Sequence, residues 1–301
     1  DYPALWGGPH GHHGLTEQLA RGTVGVLQAA FDRLAAASGC DTILLSSETL
    51  AYCPDTQVRL LRQAVRDAPV TVVFYFRRWS ELIPSHWREV LKHRSRGSLQ
   101  GFALKYLADP ARSEIVNFAL VLDRYAKAFG RGNLRVASYN AVADAGEDLL
   151  VHFCRQFLDW PDPPANRLGR VNTSLGMADC EIIRTLNALE WMRAGDAGLR
   201  LFPRYIALKD TLPIRWIVDQ SMQFMVNPVR LNDAALGLAQ LHDRIANQYR
   251  YALVTPCPAG RLFEPRATDV SYVHADYVLR PGILEAMREI HAKLMAVDDT
   301  A

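Results

Sequence analysis

Apolar residues in the first half of the chain follow two rhythms. Leu19, Val24, Leu27, Phe31 and Leu34 recur at helical spacing up to Gly39, and Val58, Leu61 and Val65 line one face of a segment from Asp55 to Asp67. Between such segments lie short runs without a polar face. "DTILLSSE", ending on Ser46, Ser47 and Glu48, predicts a first strand. "PVTVVFYF" predicts a second, apolar on both sides as a central parallel strand is. A turn at "GRGN" leads into a third, Leu134 to Tyr139. Helices are predicted over Ser80 to Arg94, over Arg112 to Phe129, and within "AGEDLLVHFCRQFL", which "WPDPP" stops. "DYPALWGGPHGHHGL" and "SRGSLQGF" read as loops. Strands alternating with helices predict an α/β fold around a parallel sheet.

Beyond Pro164 the rhythm is helical alone. Helices are predicted over Glu181 to Arg193, Trp216 to Met225, Asp233 to Tyr251 and Pro281 to Val297, with no strand of comparable strength. The expected organisation is an α/β core over 1–164 and a mainly helical extension over 165–301, packed on that core. Trp191, Phe202, Tyr205, Trp216 and Phe224 read as the core of this extension rather than as an acceptor pocket.

Composition narrows the chemistry. The 301 residues are 49% hydrophobic and 22% charged, an ordinary globular balance. A net charge of +2 gives no broad basic field for nucleic acid, so any anion site is local. No apolar run approaches the roughly 20 residues of a membrane helix. The opening residues do not read as a signal peptide. Cys40, Cys53, Cys154, Cys180 and Cys257 are dispersed, as reduced thiols of a cytoplasmic protein would be, and match no zinc signature. The chain opens at Asp1 rather than Met and reads as a piece of a longer one.

The candidate chemistry gathers where the second predicted strand ends. Ligands of open parallel sheets bind at the C-terminal ends of strands, and Arg77 and Arg78 stand there. Ser80 is a good N-cap for the next helix, and a helix start favours anions. Ser85 lies over a turn into that helix, and its side chain leans back toward the start. Together these residues predict one phosphate held by Arg77, Ser85 and backbone N–H groups. The alternative is two surface charges where a strand emerges. "LKHRSRG" is a short basic run that either attracts an anionic acceptor or is a solvated helix end.

Arginine at a strand end with serine eight residues on resembles the 3′-phosphate motif of PAPS-dependent sulfotransferases. "FRRWSELIPS" is similar to the L-R-R-x-x-E-x-x-x-S pattern of bacterial members of that family, with Phe76 in place of the leucine. "GHHGL", "ILLSSE", "AKAFGRGNLRVASY", "GEDLLVHFCRQFL" and "RVNTSLGMADCEIIRTLN" fall in the order that family uses, covering about residues 9–190. A weaker likeness continues through "NQYRYALV" to Phe263.

The resemblance implies a three-layer α/β/α P-loop-like parallel sheet with a C-terminal helical extension. It implies 3′-phosphoadenosine 5′-phosphosulfate (PAPS) as cosubstrate, no metal, and a hydroxyl-bearing carbohydrate or small metabolite as acceptor. It assigns the nucleotide to Arg77, Ser85 and Arg78, with Arg170 or Asn172 closing from the late loop "RLGRVNTS", otherwise an ordinary linker. His12 and His13 would line the active site, and Glu48 would accept a proton or orient a histidine. The bland alternatives are a solvated loop for the histidines and a helix cap or ion pair for Glu48. One departure stands out: the "KTGTT"-like 5′-phosphosulfate loop is missing. Either it precedes Asp1, or the protein is a non-catalytic nucleotide- or glycan-binding relative. A nucleotide kinase-like phosphotransferase would need G-x-x-x-x-G-K-[ST], which the chain lacks.

Overall fold

A computed structural model describes residues 12–38, 42–162, 175–210, 212–223, 225–255, 260–273 and 275–296. The chain starts with α1 (His13–Ala20) and α2 (Val24–Ser38), divided at Gly22, where φ is +72°. The periodicity across this break runs on, so the sequence predicts one helix where there are two. Then come α3 (Asp55–Ala64), β1 (Val72–Phe76), α4 (Trp79–Lys92), α5 (Leu99–Leu107), α6 (Ala119–Phe129) and β2 (Leu134–Ser138). They are followed by α7 (Tyr139–Asp144), α8 (Leu149–Phe157), α9 (Met177–Ala194), α10 (Phe202–Leu208) and α11 (Leu212–Gln223). The last third holds β3 (Met225–Asn232), α12 (Ala239–Tyr249), β4 (Ala267–Val273) and α13 (Ile283–Met295).

The protein is therefore α/β and mostly helical, with thirteen α-helices among the described residues. Contacts divide the chain into two compact units, each built from three stretches, in place of the single cut at 164. The first comprises the described residues of Asp1–Phe76, Arg112–Ser138 and Arg244–Leu262. Here β1 and β2 pair in parallel, with Val72 opposite Leu134 and Phe76 opposite Ser138. The other edge of β2 is met by Leu253, and the Val254 N–H donates to the Val136 carbonyl at 3.0 Å. Leu15, Leu19, Leu27, Leu34, Val58, Leu61, Val121 and Phe129 form the core, mixing four helices. "ILLSSE" joins neither sheet: residues 43–47 have no regular structure and Glu48 begins a 3-10 turn, so the first predicted strand is absent from the ladders.

The second unit comprises the described residues of Arg77–Ala111, Tyr139–Asp243 and Phe263–Ala301. Its central helix is α9, which packs on α4, α11, α13 and β4 and buries residues around most of its circumference. On α4, Trp79, Ile83, Trp87 and Leu91 repeat every four residues and are all 2% exposed or less. Removing any one of these side chains to alanine should cost about 3 kcal/mol or more.

Three expectations fail in this unit. β3 and β4 form an antiparallel pair where only helices were expected, with a register shift between Val226 and Val229 that brackets Asn227 and Pro228. "SRGSLQGF" is loop only over residues 95–98; from Leu99 it opens α5, because the Ser98 hydroxyl accepts from the Gly101 N–H at 3.2 Å. The aromatic set divides: Tyr205 is fully buried, but Trp191 and Trp216 are 45% and 46% exposed, and Phe224 lies outside the described residues.

Candidate functional site

Arg77 and Arg78 open the second unit side by side, and they differ in burial. The side chain of Arg78 is 3% exposed and that of Arg77 is 34% exposed. Arg78 is the N-cap residue of α4, and its N–H donates to Asn140 Oδ1 at 2.6 Å. Its Nε donates to the Glu264 carbonyl at 2.8 Å, Nη1 reaches Glu81 Oε1 at 3.3 Å, and Nη2 pairs with the Asp144 carboxylate. Each nitrogen of this guanidinium serves the protein itself. A buried arginine so satisfied is a structural clamp, which leaves Arg77 as the arginine facing solvent.

Arg77 Nε donates to Glu81 Oε2 at 3.0 Å, and Nη1 points at Ser85 Oγ, 3.4 Å away. The guanidinium carbon lies 4.9 Å from the centre of the Tyr139 ring. That meeting follows from the register: Phe76 and Ser138 are partners, and the next residue of each strand is Arg77 or Tyr139. Glu81 also accepts from Asn140 Nδ2 at 2.9 Å. Burial pushes the Glu81 carboxyl up, but hydrogen bonds from Asn140, Arg77 and Arg78 and the Arg77 charge outweigh it, so its pKa lies below the ordinary carboxylate range. Glu81 is thus an ionised bracket holding the Nε side of Arg77, with Nη1 aimed at Ser85.

Ser80 is not the cap that the sequence predicts. It lies inside α4 and is buried. Asp233 reaches the helix start instead: Oδ1 accepts from the Ser80 N–H at 2.8 Å, and Oδ2 from Ser80 Oγ at 3.0 Å and the Arg266 N–H at 3.0 Å. The backbone amide offered to a phosphate is therefore occupied by the protein's own anion. The brace meets an amide that a helix start leaves without an internal partner. Separately, Pro84 has no N–H to give to the Ser80 carbonyl, so the first turn of α4 is one internal bond short.

The remaining candidates belong to the first unit or lie outside the described residues. His12 Nδ1 faces Ser46, 3.0 Å from its N–H and 3.1 Å from its carbonyl. With the proton on Nδ1 given to the carbonyl, Nε2 keeps a lone pair and can act as a base. With Nδ1 accepting from the N–H, Nε2 carries the proton. His13 begins α1. Glu48 is exposed and starts a short 3-10 turn, Glu48–Tyr52, whose cap is Ser47, accepting from the Thr49 N–H at 3.3 Å. Arg170 and Asn172 lie outside the described residues.

Sequence reasoning missed Tyr139, Asn140, Asp144 and Asp233. Tyr139 and Asn140 had a signal: Tyr139 ends the third predicted strand and Asn140 follows it, at the end where ligands gather. Asp233, 153 residues from Ser80, had none. Among the described residues no group of three His, Cys, Asp or Glu is placed to hold a metal ion, and no helix is long and apolar enough to cross a membrane. No family model, curated protein or solved structure matches the chain.

Proposed function

We propose that the protein transfers a sulfuryl group from PAPS to a hydroxyl of a carbohydrate or small metabolite, with Arg77 and Ser85 seating the 3′-phosphate. The observation that supports this is the approach of Arg77 Nη1 to Ser85 Oγ on a half-exposed face of α4. A guanidinium and a hydroxyl so arranged offer two donors to one phosphate. Tyr139 and Glu81 limit where the guanidinium can swing. The reading carries with it the three-layer P-loop-like fold of that family, in which β1 and β2 would be two strands of a larger sheet, and a cytoplasmic location.

In the transfer, an acceptor oxygen bonds to sulfur as the bond from sulfur to the nucleotide's phosphate oxygen breaks. The acceptor proton passes to a base, for which His12, His13 and Glu48 are the candidates, and adenosine 3′,5′-bisphosphate leaves. The chain contains no Lys-x-Gly-Thr-Thr sequence to stabilise the leaving phosphate. The second reading is a nucleotide- or glycan-binding relative without transfer.

Calorimetric titration with adenosine 3′,5′-bisphosphate tests the seat. Binding should fall at least about tenfold in Arg77→Ala, since a charge-assisted bond is worth about 1.5–3 kcal/mol, and less in Ser85→Ala. Unchanged affinity in Arg77→Ala rejects the site. Incubation with PAPS and a panel of hydroxyl acceptors separates the readings: release of bisphosphate supports transfer, and tight binding without release supports the non-catalytic protein.

A further inference from the structure

The last turn of α4 leads into a segment that is held in an uncommon shape. Arg94 has φ of +76°, in the left-handed region. Its guanidinium donates to the carbonyls of Gly195 and Asp196, both at 2.8 Å. Buried Asn187 gives Nδ2 to the Leu91 and Ser95 carbonyls, each at 2.9 Å, and buried Trp87 gives Nε1 to the Gly97 carbonyl at 2.9 Å. Three side chains, those of Arg94, Asn187 and Trp87, thus hold residues 91–97 in place.

What this segment presents is an open groove of about 660 Å³, walled by residues 94–97 on one side and by Ala188, Trp191 and Met192 of α9 on the other. Trp191 and Met192 are 45% and 67% exposed. The Arg96 guanidinium lies 4.2 Å from the centre of the indole ring. Two arginines line the groove and no carboxylate does. Asp196 lines the adjoining hollow, together with His93 and with Arg94, Arg96 and Trp191, which border both.

We infer that this groove binds an acidic carbohydrate, with a sugar ring against Trp191 and a sulfate or carboxylate on Arg96. An exposed indole offers an apolar plane, and the guanidinium beside it a forked donor for an oxyanion. A uronic or sulfated sugar carries both complements, an apolar ring face and an anionic rim. A membrane surface is disfavoured because the aromatic lines a concavity rather than standing out from it. The ligand class follows from the groove alone; its role as the docking site of the sulfuryl acceptor rests on the function proposed above.

The test uses the full chain, a heparin tetrasaccharide, a neutral cello-oligosaccharide of equal length, and vesicles of phosphatidylserine and phosphatidylcholine. Heparin fragments should quench tryptophan fluorescence and bind in titration, and the neutral sugar should bind at least about tenfold more weakly. Trp191→Ala and Arg96→Glu should each lower heparin affinity about tenfold or more while leaving adenosine 3′,5′-bisphosphate affinity unchanged. Both positions are on the surface, so folding is not at issue, and Arg96→Lys should restore part of the loss. Heparin binding that is unaffected in both variants overturns the inference. So does equal binding of the neutral sugar, or preference for the anionic vesicles. Heparin binding with these sensitivities in a protein that ignores the nucleotide would uphold the groove and reject the sulfotransferase reading.

Discussion

The side of α4 that carries Arg78 and Ser80 is closed on itself, whereas the side that carries Arg77 and Ser85 faces water. On the closed side every charge has its counterpart inside the protein: Arg78 with Asp144 and Glu81, and Asp233 with the Ser80 and Arg266 amides. On the open side the polar groups are held in place but not enclosed. Two arginines adjacent in sequence thus do different work, one for stability and one available to a ligand. Burying an arginine is costly unless all its donors are met, so the chain commits only one of the pair to the interior.

This contrast can be broken by substitution, beginning with Arg78. Arg78→Ala should destabilise the protein by about 3 kcal/mol in urea unfolding, because Asp144 and Glu81 lose their buried cation. A loss below about 1 kcal/mol would erase the distinction between the two arginines. Asp233→Ala should cost about 2 kcal/mol, since it frees a helix-start amide and the Ser80 hydroxyl together. Asp233→Asn, which keeps an acceptor, should cost less in the same assay.

Glu81 joins the two sides and supplies a pH test. Its folded pKa lies below the ordinary 4.5, so the stability it lends is fully present above that pH. It is lost as pH falls through the lower folded value. Glu81→Gln should flatten this part of the stability profile, and a profile as steep as the wild type's would show that other carboxylates dominate there. The smallest expected effect is Arg77→Ala, within about 0.5 kcal/mol by the same unfolding measurement. A larger cost would mean that Arg77 is structural too.

What could be read from the sequence follows the same division. β1 and β2 were legible because "TVVFYF" and "LRVAS" are short, strongly strand-forming runs. β3 was not, because Asn227 and Pro228 interrupt "MVNPVRLN" just where its register shifts. "ILLSSE" misled in the opposite sense, having strand composition and no strand partner. The closeness of Arg77 and Ser85 was readable from spacing and side-chain lean. The occupation of the α4 start by Asp233 was not, since no local pattern signals a cap 153 residues away.

That distance has a consequence for how the molecule is made. During synthesis α4 emerges with a first turn weakened by Pro84, and its brace does not yet exist. Asp233 must be translated before the Ser80 amide is satisfied, and Thr268, whose hydroxyl donates to Ser80 Oγ at 3.1 Å, comes 188 residues after that serine. Closing a loop of that length precedes any gain from the contact. The start of α4 is therefore finished late in folding, and the helix that carries the candidate site is the one whose beginning waits for the far part of the chain.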